Sequence, residues 1–167
     1  MLDPLRLPLP PPPAGVRLTT LAAEPDPERA ARALHRLYLE TLPDNPGFVD
    51  ALPDFADWRE EVLDGPGHRP DWIFLGLAED GLAGATVVEQ TESRGLAHVS
   101  YTAVRRSWRG QGLAGALKLT AAHHLAEAGV RRIRTEVEAA NSPMLSVNST
   151  LGYQAVPGGH HRTVLTF

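Results

Sequence analysis

Residues 95–139 carry four segments in succession: an apolar strand (GLAHVSYTAV), a glycine-bearing turn (RRSWRGQ), a helix (GLAGALKLTAAHHLAEAG) and a second strand (VRRIRTEVEA). A strand–helix–strand crossover obliges its two strands to lie parallel. The preceding segment demands the opposite. WIFLGLAE (72–79) and LAGATVVEQT (82–91) flank Asp80-Gly81, a two-residue hairpin signal that makes neighbours antiparallel. The strand at 95–104 follows after the polar turn Glu92–Arg94. One parallel step inside an antiparallel run restricts the chain to an α+β sheet.

The other elements fit around this unit. GVRLTTLA (15–22) reads as a strand. Residues 26–42 read as a helix with Ala30, Ala33, Leu34, Leu37 and Tyr38 at helical spacing, Asp26 as N-cap and Pro27 in the first turn. DFADWREEVLD (54–64) is a second, shorter helix. In the helix at 112–129, Leu113, Leu117, Ala121, Leu125 and Ala128 mark the buried face and Gly129 suits the C-terminus. Asn141 caps a last helix over 142–151, and strands at 153–156 and 162–167 close the chain.

The 167 residues favour one domain, over 15–167, preceded by a proline-rich arm at 1–14 that reads as an extended polyproline-like lead-in. The chain has no cysteine, which excludes disulfides, thiolate metal sites and a cysteine nucleophile and fits a cytoplasmic setting. A net charge of −4 without a basic block argues against a nucleic-acid surface, and no apolar run reaches the ~20 residues of a membrane span. Of the 16 basic residues only Lys118 is lysine, which suggests a high-GC bacterial source.

The turn RGQGLAG has two spellings. Gly110, Gly112 and Gly115 spell G-x-G-x-x-G, a dinucleotide fingerprint. Arg109, Gly112 and Ala114 spell R-x-x-G-x-A. Either way, glycines let backbone N–H groups approach an anion at the positive end of a helix. In a dinucleotide fold the first glycine follows its strand almost directly, whereas here Arg105–Arg109 intervene. Glu136 and Glu138 can mimic a ribose-binding acid, but too little chain follows Glu138 for a second mononucleotide half. Three basic residues within five positions favour a ligand with several phosphates.

VRRSWRGQGLAGAL resembles the acyl-CoA signature of the GNAT acetyltransferases. NSPMLSVNSTLGY (141–153) is similar to the family's N-x-x-[AM]-x-x-x-[YN]-x-x-[LG]-G-[FY] helix, and the element order matches from Gly15 to Phe167. The resemblance implies a mixed, mostly antiparallel twisted sheet with a central splayed parallel pair and about four flanking helices. It implies that Arg109, Gly110, Gln111, Gly112, Leu113 and Ala114 cradle the pyrophosphate of acetyl-CoA. It implies that Thr102, Ala103 and Val104 offer backbone groups to the pantetheine arm, that Asn141 and Asn148 face that arm, and that the thioester lies in the strand gap. Asn141 also reads as a simple N-cap. The acceptor would be a small-molecule or peptide amine, with no nucleic-acid or membrane partner, and the family allows a homodimer. Similar sequences occur as tandem domains, so the chain also resembles one half of such a protein.

Acyl transfer to an amine needs a base, a stabilised oxyanion and a leaving thiolate. Many family members carry a tyrosine, which protonates the sulfur, where Asn148 stands. Asn148 donates hydrogen bonds but cannot give up a proton, so Tyr101 and Tyr153 enter as candidate acids. Asn148 also reads as a polar residue satisfied at a helix surface. For the base, period-2 alternation sets His98, Ser100, Thr102 and Val104 on one strand face, and several family members place a glutamate base near the position of His98. His98 reads equally as an ordinary strand histidine, with Glu89, Glu136 and Glu138 as rival bases. His123-His124 and His160-His161 read as surface pairs without metal-ligand spacing. The resemblance puts the acceptor near residues 43–58, where Asp44, Asp50, Asp54 and Asp57 accompany Phe48, Phe55 and Trp58; these also read as helix-end acids and core aromatics. Direct transfer in a ternary complex follows from the lack of cysteine and of an activated-serine motif. A non-catalytic acyl-CoA-binding or scaffold domain and a nicotinamide-binding protein are the competing readings.

Overall fold

The Asp80-Gly81 hairpin forms as its sequence dictates: β2 (His68–Ala78) and β3 (Gly81–Gln90) pair antiparallel, with Leu77 opposite Leu82. The computed structural model describes residues 6, 8–45, 48–156 and 162–167. β1 (Arg17–Thr20), β4 (Leu96–Val104), β5 (Arg132–Glu136), β6 (Gln154–Ala155) and β7 (Arg162–Thr166) complete a seven-stranded sheet of order β1-β2-β3-β4-β5-β7-β6. Every neighbouring pair is antiparallel except β4 and β5, the two strands of the crossover. The helices are α1 (Pro27–Thr41), α2 (Phe55–Val62), α3 (Leu113–Glu127) and α4 (Ser142–Thr150).

The caps act as their residue types predict. Asp26 accepts from Arg29 N–H, Asp54 from Asp57 N–H and Asn141 from Met144 N–H. β2 starts at His68, earlier than its apolar run, with an irregular register around Pro70, which has no N–H for a ladder. β5 stops at Glu136, the last residue paired with β7. Ala128 lies beyond the end of α3 and is exposed, not buried as its spacing suggests.

Two apolar layers cover the sheet. α3 and α4 pack on one face with Phe74, Val88, Val99, Leu117 and Ile133. α1 and α2 pack on the other with Leu34, Trp58, Leu75, Val87 and Tyr101. The first turn of α3 lies close to β3: a Cβ on Gly84 would sit 3.1 Å from Leu113 and 3.0 Å from the Ala103 carbonyl.

β4 carries the feature that shapes the site. Val88 pairs with Val99 but Val87 pairs with Tyr101, so Ser100 is an extra, bulged residue. A one-residue bulge inverts the alternation beyond it. Ala97 and Val99 accordingly join the α3 layer, whereas Tyr101 and Ala103 join the α1 layer. The single-face assignment of His98, Ser100, Thr102 and Val104 therefore fails. His98 lies on the α1 side, opposite Thr102 and Val104. Parallel pairing with β5 ends at Val99 opposite Thr135, so the two strands part where the bulge begins.

Gly84→Val overpacks the α3–β3 contact. We expect it to lower stability by about 1–3 kcal/mol, read as a reduced denaturant midpoint at constant m; an unchanged midpoint would contradict the close approach.

Candidate active site

α3 begins without a side-chain cap. Its N-cap Gly112 has φ 83°, a left-handed conformation that glycine adopts without strain, and Gly110 has φ 75°. The first intrahelical acceptor is Gly112 O, bonded by Ala116 N–H, which leaves the N–H groups of Leu113, Ala114 and Gly115 without helical partners. A Cβ at Gly110, Gly112 or Gly115 would meet nothing within 4 Å. Open space, unpaired donors and the positive helix end together fit a phosphate group.

Arg109 is engaged elsewhere. Its Nε donates to Val104 O at 2.9 Å, and its guanidinium meets Asp44 at 2.7 Å. Arg106 meets the other oxygen of Asp44 at 2.6 Å, and the two arginines hold that carboxyl at about 2. Arg109 thus fastens the loop to the end of β4 and to the segment after α1. Gln111 braces the same loop by donating to Ser107 O at 3.3 Å.

A cavity of about 410 Å³ opens where β4 and β5 part. Asn45, Phe48, Asp50 and Glu136 line it toward α1. Thr102, Lys118, Thr135, Asn141 and Met144 line it toward α3 and α4. The gap thus joins the two faces of the sheet. Asn141 caps α4 and also lines the cavity. Of the acids singled out between 43 and 58, only Asp50 faces this space; Asp54 is a cap, Asp44 holds the arginines and Asp57 lies in the first turn of α2. Trp58 is core, packed against His35 and Tyr38, and Phe55 lies beneath Arg32.

Of the candidate catalytic residues, Tyr101, Glu136 and Glu138 line the cavity. His98 does not line the cavity; its Nδ1 is 3.9 Å from Glu89, whose other oxygen is 3.7 Å from His68. Burial, then the positive charge of Arg134, lower the His98 pKa below 6.5, so the ring is mainly neutral at pH 7. Asn148 is buried on α4 and is not a satisfied surface residue: neither of its amide atoms has a hydrogen-bond partner. Tyr101 bonds Thr41 through its hydroxyl at 2.6 Å and stacks on Tyr38. Burial pushes the Tyr101 and Tyr153 phenols well above their usual range. Glu136 pairs with Arg162 at 2.9 Å. His123 and His124 are half-buried, not surface groups, and His124 packs edge-on against Phe74; His160-His161 lies outside the described residues.

Lys118 was not among the residues that motif reading singled out. It is 2% exposed, its Nζ lies 5.0 Å from the Tyr153 ring centroid, and it faces the cavity. Burial lowers its pKa to about 7. Its signal in the sequence was a lone lysine beside Leu117, inside the apolar stripe of α3.

Comparison with known proteins agrees with this geometry. The Acetyltransferase (GNAT) family model matches residues 31–153, and the chain belongs to that family, which uses acyl-CoA. It is 30% identical over 156 residues to a mycothiol acetyltransferase of Mycolicibacterium vanbaalenii, covering 90% of this chain and 50% of that protein. The chain therefore spans about half the length of that curated relative. The fold matches a GCN5-related N-acetyltransferase from Kribbella flavida with a TM-score of 0.71 at 16% identity, covering 92% of this chain and 98% of that one. It also matches the PaiA N-acetyltransferase of Thermoplasma acidophilum, solved in complex with coenzyme A, with a TM-score of 0.67 at 12% identity and coverage of 91% and 99%. Among the described residues, no helix is long and apolar enough to cross a membrane.

The depressed pKa of Lys118 has a defined consequence for stability. Between about 7 and the ordinary 10.5 the unfolded chain binds more protons at this group than the folded one, so the group's contribution rises with pH across that window. Lys118→Met should flatten that rise. Denaturant midpoints of the two proteins that run parallel from neutral to alkaline pH would show that Lys118 titrates normally.

Proposed function

We propose that this protein transfers an acetyl group from acetyl-CoA directly to an amine acceptor in a ternary complex. The observation that carries the reading is the cavity at the β4–β5 parting, with the uncapped start of α3 nearby and acidic groups toward α1. The N–H groups of Leu113, Ala114 and Gly115, reached through Gly110 and Gly112, would hold the pyrophosphate. Beyond Val99, β4 has no β5 partner, so the backbone of Thr102, which points to that side while Ala103 turns to Ala85 of β3, is available to the amides of the pantetheine arm, with Asn141 beside it. Val104 contributes its N–H, since its carbonyl already accepts from Arg109.

An alkylamine with a pKa near 10 is mostly protonated at pH 7 and must lose a proton before it attacks. Asp50 and Glu136 at the α1 mouth attract the ammonium form. His98, held beside Glu89 and outside the cavity wall, takes the proton through an intervening water. Without cysteine the acyl group has no thiol to rest on, so attack on the thioester is direct. The same observations leave a second reading, a non-catalytic acyl-CoA-binding domain, supported by His98 standing outside the cavity and by asparagine at position 148.

Acetyl-CoA at ~100 times its Kd should stabilise the fold by about 2.7 kcal/mol, a rise of roughly 5–11 °C in Tm for a domain of this size. NAD should give no shift. Gly112→Val, which strains a left-handed residue and fills the cradle, should abolish the response; a shift with NAD alone would reverse the reading of the loop. In an amine panel that includes a mycothiol-type acceptor, chosen on the relative's name, acetylation should weaken as pH falls below 6.5 in wild type. His98→Gln should lower kcat and remove that acid limb. Loss of the limb in Glu138→Gln instead would reassign the base, and no turnover despite acetyl-CoA binding would favour the binding domain.

A further inference from the structure

The donor side of the cavity holds one feature the mechanism above does not use. Lys118 contributes the only basic side chain among the described residues that line this space. It comes from α3, with Thr102, Asn141 and Met144 around the same α3-side wall, while Asp50 and Glu136 lie toward α1. No carboxylate among the described residues pairs with it, and its near neighbour is the face of Tyr153. An unpaired buried cation is costly unless an anion meets it. On the donor side of an acyl transfer, the anion that appears is the departing thiolate.

We propose that the Lys118 ammonium donates the proton that the coenzyme A thiolate takes up as it leaves. This inference rests on the reading of the cavity as the acetyl-CoA thioester site. In the step, the acceptor nitrogen bonds to the thioester carbon and the carbon–sulfur bond breaks, with its electron pair leaving on sulfur. The proton passes from Lys118 Nζ to sulfur, giving the free thiol and a neutral amine. The proton lost by the acceptor leaves through the base to solvent, and solvent reprotonates Lys118 between turnovers.

The chain's other candidate acids fit the task less well. Asn148 has no acidic proton. The Tyr101 hydroxyl is bonded to Thr41, and the Tyr153 phenol is raised by burial. Burial brings Lys118 to about 7, below the ~8.5 of a free thiol, so proton transfer from it to a thiolate runs downhill. The titratable groups around it are Tyr153 against its side chain, Tyr101 from β4, Glu136 and Glu138 from β5 and the loop beyond, and Asp50 from the segment before α2. Burial alone accounts for the lowered Lys118 pKa, and none of these acids forms an ion pair with it.

Because Lys118 is the only lysine, protein labelled at the lysine Cε carbon gives one resonance that reports its protonation. The test is to titrate that resonance in the full chain alone, with coenzyme A, and with desulfo-coenzyme A, which lacks the sulfur. The expected result is a higher midpoint with coenzyme A than with the desulfo analogue, because only the former places a thiolate beside Nζ. Identical midpoints with both ligands bound would overturn the inference and leave the donor site intact. Failure of both ligands to bind would overturn the donor-site reading and this inference with it. In turnover, Lys118→Met should reduce kcat by about 10²-fold or more, with KM for acetyl-CoA little changed; a kcat equal to wild type would also overturn it.

Discussion

The site depends on one interruption in one ladder. Ser100 adds a residue to β4 opposite an unbroken stretch of β3, and the bulge bends β4 and inverts its facing. Pairing with β5 ends at Val99 and Thr135, immediately before it. A continuous parallel pair would have closed the sheet and left no cavity. The parted strands leave a gap lined from both faces, with backbone of β4 free on the β5 side. In the proposed reaction, such a gap would bring a donor and an acceptor together from opposite sides of the sheet.

The rest of the fold holds that gap open. α3 is anchored low on the sheet because Gly76 and Gly84 have no side chain where Leu113 packs. The same first turn presents its N–H groups to the open loop. Asp44 draws Arg106 and Arg109 toward the end of α1, and Arg109 also bonds Val104 O, so the glycine loop is tied to the last residue of β4. Exposed ion pairs of this kind contribute little stability. Their effect is on geometry, fixing the loop relative to the strand that it must serve. Charge is distributed unevenly around the cavity, with carboxylates toward α1 and a single buried amine toward α3. That polarity suits a cationic acceptor approaching from one side and a thiolate released on the other.

Much of this was legible from local chemistry. Asp26 and Asn141 are caps where side-chain oxygens precede helical runs, and Asp80-Gly81 makes its hairpin. The parallel pair followed from connection length alone. What was not legible is non-local. Ser100 lies in an ordinary VSYT run with no glycine to mark a bulge, so strict alternation put His98 on the wrong face. Arg109 looked like a free phosphate ligand because its partner Asp44 is distant in sequence. Lys118 was visible as a lone lysine, but its burial appears only when α3 lies against β4, β5 and Tyr153. Asn148 was recognised by motif position, and its two unpartnered amide atoms were beyond reach of sequence.

The central claim is that acyl transfer takes place in the gap that the Ser100 bulge opens between β4 and β5. The most direct measurement is a crystal structure of the full chain with coenzyme A. The account predicts the pyrophosphate on the N–H groups of Leu113–Gly115, the pantetheine arm along Thr102–Val104, and the sulfur inside the gap. Coenzyme A bound outside that gap, or a β4–β5 ladder closed through residues 100–104, would contradict it.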